Sequence, residues 1–189
     1  MTYAIVVFLH IVGAMGLFAG IGLEQASLAA FRRVNTIGQA RDWIGLLAGL
    51  RRLDGPSGLL ILATGLYMMA TRWGSQAWMG LAILAMIVIA FLSIAVTGRR
   101  ARAIVKSLPT ADGPISAALR ERLADPALRA SAAVRTALAL GVVFNMSVKP
   151  TTLGALIVMG VALALGAASA SPVASLLGVR TNGGQSLLR

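Results

Sequence analysis

The chain has 189 residues, of which 58% are hydrophobic and only 12% charged, with no cysteine and one histidine. A soluble domain carries nearer a quarter charged residues, so this composition argues against a soluble enzyme, a disordered chain and a coiled coil. It also removes disulfides, thiolate metal sites and any single-chain site built on two histidines. The net charge of +11 does not indicate nucleic acid, because the basic residues lie in short stretches between apolar runs, where they orient membrane spans.

A helix needs about 20 apolar residues to cross a hydrocarbon core of roughly 30 Å. Residues 3–31 hold one charge, Glu24, and form the first predicted span. At 1.5 Å per residue they reach about 43 Å, so the last turns enter the headgroup layer or the helix tilts. No basic segment precedes this run and it is too long for a signal peptide, so it reads as a permanent helix. His10 and Glu24 lie 14 residues apart, which is about 21 Å and four turns on one face. That face reads His10, Gly13, Leu17, Gly20, Glu24, and Gly16 and Gly20 add a small-xxx-small pair that admits a close neighbour. The stripe is predicted to face the bundle interior.

The stretch 32–54 is predicted as a loop holding five arginines. Within 39–53, Trp43, Ile44, Leu46, Leu47, Leu50 and Leu53 alternate with Arg41, Asp42, Arg51 and Arg52. A second span covers 55–72, with Pro56 in its first turn, where proline is tolerated. A third covers 73–98, and the link from Arg72 to Gln76 makes the two an antiparallel hairpin. The loop 99–130 contains a second amphipathic segment, 114–124, marked by Ile115, Leu119 and Leu123. Two readings of both segments stand: helices in the inner headgroup layer with arginines on anionic lipid, or a helical cap.

Spans at 131–148 and 152–171 complete the chain, joined by a tight turn at Lys149-Pro150. The alternative makes 131–148 an interfacial helix and leaves four spans. With five spans, fifteen of the 17 basic residues fall on one side and only Arg72 and Lys149 on the other. The positive-inside rule then places the N-terminus outside and the C-terminus inside. Trp43, Trp73 and Trp78 take belt positions.

Ionisable groups within a span cost roughly 2.5–3.5 kcal/mol on insertion scales, so each is a functional candidate. His10 is either a hydrogen-bond donor to a neighbouring helix or a ligand to haem or metal, with Gly13 and Ala14 leaving room for a flat ring and Arg72 placed to meet a propionate. Glu24 is either an ion-pair partner of Arg135, Arg51 or Arg52, or a proton-relay carboxylate. Met68, Met69, Met79 and Met86 offer thioethers to Cu(I), but their spacing forms no cluster. The ordinary role of packing is therefore expected and no metal-ligand set is assigned. Asn145, Tyr67, Thr64 and Ser93 are expected to bond between helices. No phosphate loop, nucleophile elbow, HExxH or dinucleotide fingerprint occurs.

Phe8-Leu9-His10-Ile11-Val12-Gly13, Arg51-Arg52-Leu53-Asp54 leading to Gly58 and Thr64-Gly65-Leu66, and Met146-Ser147-Val148-Lys149-Pro150 together resemble a group of bacterial integral membrane proteins classed as a domain of unknown function. The resemblance spans about residues 4–150 and rests on short motifs. The opening is also similar to that of the copper-resistance D family and of a membrane protoporphyrinogen oxidase family. In the latter a first-span histidine ligates haem and a third-span lysine is essential. That likeness implies the histidine role for His10, but the only lysines are Lys106 and Lys149, and neither lies in the third span.

The expectation is an all-α, polytopic membrane bundle of about five spans, a four-span core plus one, in a bacterial inner membrane. Its partners are the bilayer, anionic lipids at the inner surface, and a second copy or another membrane protein. The leading functional reading is a structural or partner-binding bundle rather than an enzyme. The alternatives are a haem-b redox protein through His10, and a small-solute or metal carrier through His10 and Glu24.

Overall fold

A computed structural model describes residues 1–169 of the chain. Arg180, Arg189 and the last residues of the span expected to end at 171 lie outside the described residues. Helix α1 covers Thr2–Phe31. Helix α2 covers Ile37–Met68 and continues through a π-helical turn, Met69–Trp73. Helix α3, Ala77–Phe91, runs on through a π-helical stretch, Leu92–Gly98, into α4, Arg99–Ser107. Helices α5 (Ala117–Leu123), α6 (Pro126–Val148) and α7 (Thr152–Ser169) follow. Five of these helical segments are long and apolar enough to cross a membrane. The protein is an all-α polytopic membrane bundle.

Several boundaries differ from the sequence reading, among them the starts of the second and fourth spans, the latter at Pro126 rather than 131. The stretch 32–54 is not a loop, because α2 begins at Ile37 and Pro56 sits inside it rather than in a first turn. A proline in a helix interior removes the hydrogen bond to the carbonyl four residues earlier, here that of Arg52. Two gains offset this cost. Thr36 caps the start, its side chain accepting from the Gln39 N–H, and the face Ala40, Ile44, Leu47 is buried. The resulting helix of 37 residues reaches about 56 Å, so its first turns project beyond a hydrocarbon core. Likewise 99–107 is not loop but a helical extension of the third span.

The buried residues form two clusters. One lies in the membrane bundle around Leu17, Ile21, Ile61, Ala85, Met86 and Leu138. The other forms a cap at the arginine-rich end, where Phe31, Ile37, Ile44, Ile104, Leu119 and Leu123 meet. Parts of both amphipathic segments, Ile44 and Leu47 of the first and Leu119 and Leu123 of the second, are thus buried in this helical cap, while Leu46 and Leu53 stay exposed. Backbone bonds from Ile37 N–H to Gly113 O (2.9 Å) and from Ile115 N–H to Asn35 O (3.1 Å) lay residues 108–116 across the start of α2. There the Asp112 carboxylate accepts from the Gly38 N–H at 2.7 Å. This bond, and a second from the Gly113 N–H, hold its carboxyl below the usual carboxylate range.

Phe8, Met15, Leu59, Phe91, Leu153 and Leu165 are each more than 60% exposed, a surface that suits lipid and not water. A left-handed residue, Lys149 at φ 51°, ends α6 and turns the chain into α7. Gly141 and Gly166 let those two helices meet closely: a Cβ on Gly166 would stand 2.7 Å from Val134 Cα.

Candidate functional site

The small-residue stripe of α1 packs against α2 in antiparallel fashion. A Cβ on Gly13 would lie 3.0 Å from Ile61 Cγ1 and 3.2 Å from the Ser57 carbonyl, while Gly16 and Gly20 face the Ser57 hydroxyl and the Asp54 carboxylate. Gly65 on α2 returns the favour, since a Cβ there would sit 3.5 Å from His10 Cε1. The face from Gly13 through Leu17 and Gly20 to Glu24 is buried, and His10 is half-buried at its outer end.

His10 Nδ1 lies 2.9 Å from Thr64 Oγ1. The Thr64 hydroxyl also lies 2.5 Å from the Leu60 carbonyl, four residues back on its own helix. A hydroxyl has one proton. With that proton on the carbonyl, Thr64 accepts from His10, so Nδ1 carries the ring hydrogen and Nε2 keeps a free lone pair. This is the outer-sphere arrangement that prepares an imidazole for a metal.

His10 lines a cavity of about 240 Å³ between α1, α2 and α3. Five methionines line the same cavity: Met68 and Met69 from α2 and its π-helical turn, Met79 and Met86 from α3, and Met146 from α6. Sequence spacing could not assemble them, because they come from three spans that only packing brings together. Sequence reasoning also missed Met146, Tyr3 and Lys149. Trp73 and Trp78, read as belt residues, form the cavity's rim with their rings edge to face at 6.1 Å. The Lys149 ammonium lies 4.1 Å from the Trp73 ring centre, and the Arg72 guanidinium lies 5.2 Å from that of Tyr3. No Asp or Glu lines this cavity, and among the described residues no three His, Cys, Asp or Glu side chains gather to hold a metal.

These residues do not fit haem. The space expected beside Gly13 is filled by Ile61 and Ser57. The cavity is also smaller than the roughly 300–1,000 Å³ of pockets that take drug-sized ligands. Arg72 rests on Tyr3 rather than turning toward a propionate position.

Glu24 pairs with Arg135 on α6, and both side chains are buried. Arg135 also donates to Thr97 Oγ1 (3.1 Å) and to the Ser131 carbonyl (3.3 Å). Thr97 belongs to the π-helical stretch, a departure that often marks a site where a helix ladder serves other groups. Here Ser131 Oγ reaches the Leu92 carbonyl at 3.4 Å. Nearby, Gln25 donates to Thr136 at 3.0 Å. Asn145 is fully buried and donates to the Ala155 carbonyl at 3.5 Å. Thr64 bonds between helices as expected of it, with His10 as the partner.

The two ionisable groups of α1 thus serve different neighbours: His10 opens on the thioether cavity and Glu24 is locked to α6. The chain matches no protein-family model, no curated protein and no solved structure.

Proposed function

We propose that the protein is a membrane bundle that binds a soft monovalent cation, Cu(I), in the outer cavity. The observation that carries this reading is the imidazole of His10, held by Thr64, in one chamber with five methionine side chains. Imidazole and thioether are neutral donors that favour Cu(I), whereas Mg²⁺ and Ca²⁺ require carboxylate or carbonyl oxygen. Lys149 at the rim disfavours a divalent ion further. The largely apolar lining offers few polar groups to hold competing water.

The cavity lies at the end of the bundle away from the arginine-rich cap. The positive-inside rule supports a plasma membrane in which that end faces outward, N-terminus out and C-terminus in. The resemblance of residues 4–150 to bacterial membrane proteins supports an inner-membrane location. The closed hydrogen bonding of Arg135 supports a structural role for Glu24 rather than proton transfer.

Anaerobic titration of Cu(I) against a chromophoric chelator tests the proposal. One copper per chain is expected, with binding lost in His10→Ala and weakened about 10–100-fold in Thr64→Val, the usual cost of losing an outer-sphere partner. Retention of full affinity in His10→Ala overturns the assignment, and so does a Soret band in protein purified from haem-replete cells.

A further inference from the structure

A second and larger hollow, about 1,430 Å³, runs along the bundle between α1, α6 and α7. Its volume exceeds the roughly 300–1,000 Å³ of small-molecule pockets. Its floor is built of small residues, among them Ala133, Ala137 and Gly141 of α6, and its outer walls include Phe144 and Leu165. At the cap end it is bounded by Arg32 and Arg129. Both are exposed, and among the described residues neither forms an ion pair. From Arg129 to Phe144 is 15 residues of helix, about 22 Å. That is longer than one leaflet, half of a hydrocarbon core of roughly 30 Å.

We infer that this groove is a binding site for one anionic phospholipid of the arginine-rich leaflet. Its phosphate lies between Arg32 and Arg129, and its acyl chain lies over the small residues of α6. The charge arrangement selects this occupant. Two guanidiniums without an ion pair among the described residues stand at the headgroup level, and no acidic side chain among them lines the groove, so a zwitterionic lipid gains less than an anionic one. A second copy of the chain is a poorer fit, because it would bring its own arginines to the same cap level.

Native mass spectrometry of the full chain, released from micelles holding equal phosphatidylglycerol and phosphatidylcholine, tests the inference. One phosphatidylglycerol per chain is expected to survive release, with a preference of about tenfold or more, equivalent to about 1.4 kcal/mol. The double variant Arg32→Gln/Arg129→Gln, altered only at exposed positions, is expected to lose that preference while retaining its helical circular dichroism. Ala29→Trp, which fills the groove from its exposed side on α1, is expected to expel the lipid with both arginines intact. Excess inorganic phosphate is expected to leave the bound lipid in place. Equal retention of the two lipids, undiminished retention in the double variant, displacement by phosphate, or a lipid-free dimer would each overturn the assignment.

Discussion

Replacing Glu24 by Gln gives the sharpest test of what holds the inner half of the bundle together. The side chain keeps its volume, so no cavity opens, and the change isolates charge. Arg135 is 2% exposed and has three acceptors: Glu24, Thr97 Oγ1 and the Ser131 carbonyl. Only Glu24 carries a countercharge. Removing one partner of a buried ion pair costs about 3–5 kcal/mol because the survivor stays buried and uncompensated. For a chain of this length each kcal/mol moves the midpoint by about 2–4 °C, giving a fall of about 6–20 °C. Thermal unfolding in detergent micelles, followed by circular dichroism, reads this directly. Glu24→Leu/Arg135→Met removes both charges and is expected to recover most of the loss, since a buried pair replaced by apolar residues is often neutral. A fall of less than about 2 °C in Glu24→Gln, below the loss expected for even one kcal/mol, would refute the reasoning, as would a double variant less stable than either single one.

The α1–α2 contact predicts opposite outcomes at two glycines. Gly13→Leu forces a side chain against Ile61 and the Ser57 backbone and is expected to cost about 1–3 kcal/mol. Gly22→Ala meets no atom within 4 Å and is expected to gain about 0.5–1 kcal/mol from helix propensity, and the same unfolding assay measures both. At the cap, the Asp112 carboxyl is held low by N–H donors, so the folded state favours its ionised form. Its contribution is present above the ordinary carboxylate value of about 4 and is lost as pH falls through the lower folded value. Hydrogen exchange of the Gly38 amide should therefore accelerate below about pH 4 and become indifferent to pH in Asp112→Ala, once intrinsic exchange rates are factored out. A reporter fused after Arg189 is expected to be active only on the cytoplasmic side. Activity outside would invert the orientation.

The architecture was legible because lipid-facing helices must be apolar all round their exposed sides, and runs such as 3–31 and 73–98 say so without ambiguity. The start of α2 was not legible, because Arg41, Arg51 and Pro56 carry the marks of a loop. What makes 37–54 helical is the burial of Ala40, Ile44 and Leu47 in one cluster with Phe31, Ile104 and Leu119, residues from segments far apart in the chain. The stripe from Gly13 to Glu24 could be read from periodicity because one helix holds all its members. The thioether cavity could not, because each methionine pair looks like packing until α2, α3 and α6 are brought together around His10. The room expected beside Gly13 failed for a related reason: a glycine marks a close approach, and here a neighbouring helix takes the space.

The proposed copper site joins one imidazole and several thioethers in a single coordination sphere. X-ray absorption at the copper edge of protein loaded with Cu(I) tests it most directly. A mixed shell of one nitrogen with sulfur scatterers is expected, and its nitrogen disappears in His10→Ala. A shell of oxygen and nitrogen alone, or a spectrum that His10→Ala leaves unchanged, would contradict it.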